Sequence, residues 1–299
     1  MTVSALRLRL GARGSRVREG IAGYLFVAPA VLLLAAVLAY PAFTSLRLSF
    51  TVPGSPAGLG GEQYRLLLHS SVFWQVVRQT GVFVAASVAA HVILGMLLAL
   101  ALNRPLVGRT LLRIMVLLPW VVPDVVTGIV WKWILNPLYG VLNDVLLRAE
   151  LIPAPLEWIA SPRLALFSVI LANIWRGFPF VMVILLAGLQ SIPQELYEAA
   201  AIDGAGAVAS FRHITLPGLR KVLVVALALD TIWEVRRFGL IQAMTGGGPG
   251  NLTEVLSTQV FKQYFQFFRF EYASAMAIAM TVLLLVISVP YVRMIVREE

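Results

Sequence analysis

A chain of 299 residues that is 59% hydrophobic and only 13% charged, with a mean hydropathy of +0.85, lies outside the range of soluble domains and belongs in a bilayer. The formal charge of +9 does not point to nucleic acid, because the basic residues are dispersed and the aromatics lie inside apolar runs. With no cysteine, disulfides, thiol catalysis and cysteine-ligated metals are excluded.

The apolar residues fall into blocks of about 20, the length that crosses about 30 Å of hydrocarbon as a helix. A membrane β-barrel would instead show alternating segments of about ten residues, a pattern absent here. The expected fold is all-α, a polytopic bundle of six transmembrane helices.

The first 20 residues carry Arg7, Arg9, Arg13, Arg16 and Arg18 against Glu19, and an apolar run from Ala22 to about Pro41 follows. This reads as a basic cytoplasmic tail, 1–21, and an anchored first helix. A cleaved signal peptide is the competing reading, but the run is long for one and Tyr40-Pro41-Ala42-Phe43 lacks a small-residue cleavage site. The first helix and an outer loop occupy 22–74, and five further helices occupy 75–292. Those spans read as Thr80 to Leu102, Ile114 to Ile134, Leu164 to Leu186, Val222 to Leu240 and Ala273 to Val292, with a cytoplasmic tail at 293–299.

Lysines and arginines number thirteen in the two tails and the segments 103–113 and 187–221, against seven in the three opposite loops. The positive-inside rule therefore places both termini in the cytoplasm. Trp74, Trp131, Trp133 and Trp158 fall near span ends, as interfacial aromatics do. The outer loops, about 42–79, 135–163 and 241–272, have room for short surface helices.

Between the fourth and fifth spans lies Ser191-Ile-Pro-Gln-Glu-Leu-Tyr-Glu-Ala-Ala-Ala-Ile-Asp-Gly204. Ser191 and Gln194 suit a capping box, and Gly204 is placed to end the helix in a left-handed conformation. The alanine-rich middle lets another surface approach closely, and Glu195, Glu198 and Asp203 offer acidic contacts. A second stretch, Ala207 to His213, leads to Pro217, where the proline is expected to reset the chain before the fifth span. By residue type alone, an ordinary amphipathic connector on the membrane surface is the default reading of such a loop.

The spacing Glu198-Ala199-Ala200, three residues, Gly204, nine residues, Ile214-x-Leu216-Pro217 resembles the EAA signature of binding-protein-dependent ABC importer permeases. The resemblance covers most of the chain and is closest to the carbohydrate type, the maltose and glycerol-phosphate group. It includes Tyr40-Pro41 with Ser45 to Phe50, Leu118-Pro-Trp-Val-Val-Pro123, Trp131-Lys-Trp, Asn136-Pro-Leu-Tyr-Gly140, Gly188 to Pro193 and Thr245-Gly-Gly-Gly-Pro249. It implies a type I importer permease fold in the bacterial inner membrane and a coupling role for Glu198, Ala199, Ala200, Gly204 and Pro217. It also implies a second homologous permease subunit, two copies of an ATPase and an extracytoplasmic solute-binding protein. ATP and Mg2+ would be used by the ATPase, with no cofactor on this chain.

Several ionisable residues fall near the expected midplane: His91, Asp124, Arg176, Asp230 and Glu234, with Arg236 and Arg237 slightly further out. Each would cost about 2.5–3.5 kcal/mol at a lipid-exposed helix centre, so they should face the interior. Asp230, Glu234 and Arg237 are spaced i, i+4 and i+7, on one stripe, with Trp233 beside it. One reading is a pocket for a hydroxylated solute, with Trp233 or Phe180 stacking on a sugar face; the other is a set of internal ion pairs. Glu234-Val-Arg-Arg237 departs from the less charged family pattern.

Pro119, Pro123 and Pro179 lie in or near spans and remove backbone hydrogen bonds. The loop Thr245 to Asn251 has the glycines of a phosphate cradle but no Gly-Lys-Ser/Thr, so it does not read as an ATP site. No metalloprotease motif, nucleophile elbow or metal-spaced histidine pair supports a membrane enzyme. An ion-coupled secondary transporter is kept as an alternative by the intramembrane carboxylates, although such folds are often built from repeated halves with broken helices, and neither is evident.

Overall fold

The computed structural model describes residues 24–52 and 54–296. Helix α1, Tyr24–Phe50, is followed by a two-stranded antiparallel hairpin, β1 Thr51–Val52 and β2 Ser55–Leu59, and by α2, Glu62–His69. Next come α3 Ser71–Asn103, α4 Arg109–Val121, α5 Asp124–Ile134, α6 Val141–Arg148 and α7 Ala165–Gln190. The remainder is α8 Gln194–Ile202, α9 Ala207–Ser210, α10 Leu216–Val235, α11 Gly239–Met244, α12 Leu256–Phe261 and α13 Phe270–Val296. The basic tail 1–21 and the last three residues lie outside the described residues.

Among the described residues, α1, α3, α7 and α13 are each long and apolar enough to cross a membrane. The expected third span, Ile114 to Ile134, is not one straight helix: α4 and α5 meet at 97°. The cause is local. Pro123 forbids the helical region to the residue before it, and Val122 is extended at ψ 129°. The carbonyl freed at Val122 accepts a 3.2 Å hydrogen bond from Arg176 Nε, so the break is satisfied by a side chain from α7. Pro119 and Pro179, in contrast, sit buried inside α4 and α7.

Other boundaries also move. The first helix runs on to Phe50, and α3 starts at Ser71, capped by Ser70, whose hydroxyl accepts from Phe73 N at 3.3 Å. In place of the expected fifth span stands α10, Leu216–Val235, which ends five residues before the expected Leu240; it is not among the helices long and apolar enough to cross, so the described residues give four such spans, or five with the bent pair, against the six expected. Pro217 does not reset the chain. A π-turn, Phe211–Thr215, carries α9 into α10 without a break, and a π-turn at Ala35–Ala39 likewise precedes Tyr40-Pro41. The i to i+5 pattern shifts the hydrogen-bond ladder just where a proline donates nothing to it.

The core forms where α3 packs on α7. Gly95 lets the two backbones close: an added Cβ would lie 2.9 Å from Met182 N. Likewise Gly128 of α5 meets α11, where a Cβ would lie 2.7 Å from Leu240 O. Phe83, Val169, Val235, Leu240 and Ile241 fill one buried cluster, and Ala99, Val181, Leu185 and Leu219 another.

Trp158 corrects the interfacial reading. It lies in the buried core, and its Nε1 donates to Asn143 Oδ1 at 2.8 Å. Asn143 also bonds both backbone groups of Leu156, accepting at 3.2 Å and donating at 3.1 Å, so it staples the segment after α6. Trp74 and Trp133 are exposed, as interfacial residues would be. Asn143→Ala strands the indole N–H and should cost about 1–3 kcal/mol, read as earlier thermal unfolding with altered tryptophan emission.

Candidate functional site

Five segments converge inside the bundle. Helix α3 brings His91, the first turn of α5 brings Asp124, and α7 brings Asn173, Arg176, Gly177 and Phe180. Asp230, Trp233 and Glu234 come from α10, with Arg237 just beyond its end; Trp120 comes from the last turn of α4. The polar positions share inward faces because charge facing lipid would be costly.

The charges pair with one another. Asp124 Oδ1 lies 2.7 Å from Arg176 Nε and 3.0 Å from Arg237 Nη1, and its Oδ2 accepts from the same Nη1 at 3.2 Å. Arg237 Nη2 bonds Glu234 Oε1, and Asn173 Nδ2 donates to Glu234 Oε2 at 2.6 Å. One layer away, His91 Nδ1 lies 2.9 Å from Asp230 Oδ2, while its Nε2 lies 3.2 Å from Asn173 O. Gly177 makes room for the imidazole, since any Cβ there would overlap the ring.

His91, Asp230 and Glu234 place one ligand atom each within 4.8 Å of one another. Those donors are already engaged, Glu234 by Arg237 and Asn173 and Asp230 by His91. A cation would have to displace a guanidinium, so the set fits an ion-pair network better than a metal site.

Beside the network is a cavity of about 280 Å3 lined by Trp120, Arg176, Gly177, Phe180, Asp230, Trp233 and Arg237. Its aromatic side is continuous. Trp120 stacks on Phe180 at 5.9 Å between centroids, and Phe180 meets Trp233 at 4.5 Å; both tryptophans are 40% exposed. Arg176 Nη1 and Nη2 have no protein acceptor among the described residues. The two sequence readings therefore meet: the charges pair internally, and Arg176, Asp230 and Arg237 also face a cavity.

Sequence reasoning named Asp124, Arg176, Phe180, Asp230, Trp233, Glu234 and Arg237, and the fold brings all seven together, with buried Glu234 and partly exposed Asp124 paired to the lining arginines rather than lining the cavity themselves. It missed Trp120, Asn173 and Gly177 as site residues. An asparagine within an apolar run was the one available signal for Asn173, and the Trp-Val-Val-Pro break for Trp120.

The connector forms apart from this pocket. Helix α8 is short and has no side-chain N-cap, so the expected capping box does not form. Pro193 is the N-cap, which puts Gln194 at N1, and Ser191 Oγ donates instead to Gly188 O at 2.7 Å. The C-terminus follows expectation: Gly204 has φ +79°, Ala205 N donates to Ala200 O at 2.8 Å, and Gly204 N to Ala201 O at 3.1 Å, a Schellman ending. Glu195, Glu198, Ala199, Asp203, Gly204 and Pro217 are exposed, Ala200 is half-buried, and Leu196 and Ile202 present apolar surface. Tyr197 Oη and Thr215 Oγ1, 3.0 Å apart, tie α8 to the π-turn that enters α10.

The loop Thr245–Asn251 folds on a carboxylate. Gly246, Gly247, Gly250 and Asn251 take positive φ, Glu254 lies against Gly247, and Lys262 pairs with Glu254.

An apolar helical bundle enclosing a polar, aromatic-sided cavity is the architecture of a polytopic membrane permease, a transport subunit rather than an enzyme. Residues 91–297 match the family described as binding-protein-dependent transport system inner membrane component, and the chain belongs to that family. It is 37% identical to the trehalose/maltose transport system permease protein of Thermococcus litoralis, over 93% of this chain and 95% of that one. It is 35% identical to the sulfoquinovosyl glycerol transport system permease protein of Agrobacterium fabrum, over 92% and 90%. Its fold is similar to that of a bacterial ABC transporter involved in the import of the acidic polysaccharide alginate, with TM-score 0.84 and 24% identity over 96% of this chain and 99% of that one.

Proposed function

We propose that this permease subunit conducts a saccharide and that α8 is the surface through which a separate ATPase drives it. The observation that carries the cargo reading is the pocket wall. Trp120 and Trp233, both partly exposed, flank Phe180 in a lining that also holds Arg176, whose Nη1 and Nη2 have no protein acceptor among the described residues. A sugar ring has apolar C–H faces and a rim of hydroxyls, which suits an aromatic platform beside a few placed donors. The named cargoes of the two relatives, trehalose/maltose and sulfoquinovosyl glycerol, are both saccharides, uncharged in the first case and sulfonated in the second.

In this reading the subunit pairs with a second, homologous permease and two ATPase copies, takes solute from an extracytoplasmic binding protein, and has both termini in the cytoplasm. ATP and Mg2+ belong to the ATPase, and this chain holds no cofactor. The coupling surface is Glu195, Glu198, Ala199, Ala200, Asp203 and Gly204, with Pro217 at the entry to α10. Exposed Leu196 and Ile202 give α8 apolar surface that a partner could cover. The Tyr197–Thr215 contact and the Schellman ending make α8 a rigid lever on α10.

The test is uptake by the reconstituted complex. Glu198→Lys and Gly204→Trp should each lower uptake at least about tenfold while the chain remains inserted; the tryptophan also meets a left-handed backbone costing about 1–2 kcal/mol. Normal uptake in both, with normal ATPase co-purification, would overturn the coupling assignment. A co-purifying binding protein that takes no saccharide would overturn the cargo assignment.

A further inference from the structure

We infer that Asp124 sets the charge class of the solute, restricting the pocket to uncharged saccharides; this rests on the saccharide reading above. The pocket lining holds two cations, Arg176 and Arg237. An acidic sugar would be drawn to either one if it were free. Neither is, because the single carboxylate of Asp124 lies between them, 2.7 Å from Arg176 Nε and 3.0 Å from Arg237 Nη1. Glu234 supplies the second negative charge, on Arg237.

The two arginines are thus balanced by two carboxylates. The remaining acid at the lining, Asp230, is held by His91, so this layer adds no net positive charge. Arg236 is exposed and outside the lining. A carboxylate or sulfonate entering the cavity would meet a site of zero or negative charge in a low-dielectric bundle. Hydroxyl groups face no such barrier, since Arg176 Nη1 and Nη2 have no protein acceptor among the described residues.

Asp124 is the decisive member because Arg237 retains Glu234 when Asp124 is lost, whereas Arg176 retains no carboxylate. Asp124 is not itself a lining residue; it sits at the first turn of α5 where the chain has just broken at Pro123, its side chain 28% exposed. It acts through the arginines and is a specificity-determining position rather than a contact residue.

The experiment measures direct solute binding to the purified permease–ATPase complex by saturation-transfer NMR, without the binding protein, whose own selectivity would mask the pocket's. The probes are trehalose, maltose and diacetylchitobiose as uncharged saccharides and dimannuronate as an anionic one. Wild type should bind at least one uncharged probe and bind dimannuronate at least about tenfold more weakly. Asp124→Asn should strengthen dimannuronate binding at least about tenfold, and Asp124→Glu should keep the wild-type order.

Equal or tighter dimannuronate binding to wild type would overturn the inference and leave the saccharide pathway standing. So would an Asp124→Asn complex that assembles, still binds an uncharged probe and gains no affinity for dimannuronate. Failure of wild type and both variants to bind any of the four probes would overturn the pathway reading itself, and the inference with it. If Asp124→Asn does not assemble, the wild-type ranking still decides.

Discussion

Glu234→Ala is expected to lose about 3–5 kcal/mol of stability, read as a marked loss of heat resistance in the assembled complex. Glu234 is 1% exposed and is the acceptor for both Arg237 and Asn173. Removing it strands the Asn173 amide and leaves Arg237 sharing Asp124 with Arg176. The resulting site carries an excess positive charge that the surrounding apolar core cannot solvate. Glu234→Gln keeps the shape and one acceptor oxygen, so it should fall between alanine and wild type. Thermal inactivation of the detergent-solubilised complex separates the three. A Glu234→Ala variant as heat-resistant as wild type would mean that the network contributes nothing to the fold.

The second large effect is expected at Gly177. Its Cα faces the His91 ring so closely that any side chain overlaps it, and the ring is pinned by Asp230 at 2.9 Å and by Asn173 O at 3.2 Å. Gly177→Ala should therefore cost about 1–3 kcal/mol by overpacking, with Gly177→Val worse. The cost should be coupled. In the His91→Ala background the added methyl group enters vacated space, so the double variant should be more stable than the sum of the single changes predicts. Strict additivity in that cycle would show that the steric conflict is not with His91. Part of the single His91→Ala penalty arises from leaving Asp230 buried without its partner.

These outcomes depend on features that the chain discloses unevenly. Inward orientation of the five charged pathway positions was legible because a lipid-facing charge is costly and helical spacing puts Asp230, Glu234 and Arg237 on one stripe. The end of α8 was legible because only a residue tolerant of positive φ ends a helix that way, and Gly204 does so at +79°. Its beginning was misread. Ser191 and Gln194 have the residue types of a capping box, but Pro193 starts the helix one position before Gln194 and leaves Ser191 to bond Gly188.

Composition also misplaced the third span. Ile114 to Ile134 is apolar throughout its length apart from Asp124, Thr127 and Lys132, and a hydropathy window cannot register a 97° bend. Pro123 signalled a disturbance, but whether a proline kinks a helix or ends it depends on what satisfies the freed carbonyl. Here Arg176 does so from another helix. Trp158 was misread for a similar reason: proximity to a span end suggested an interface, whereas Asn143 and the core around Val169 hold it inside.

By itself the sequence determined the membrane setting, the helical class, the family resemblance and the set of residues that must turn inward. All four follow from local quantities: apolar run length, helical period, motif spacing and the cost of charge in lipid. The partners were decided only by the tertiary structure. Which carboxylate meets which arginine depends on the rotation and depth of one helix against another, and these are set where Gly95, Gly128 and Gly177 allow close approach. That packing joins His91 to Asp230 across 139 residues, and Asp124 to Arg237 across 113. It also placed Asp124 between Arg176 and Arg237, turning a row of inward charges into a balanced site beside an aromatic wall.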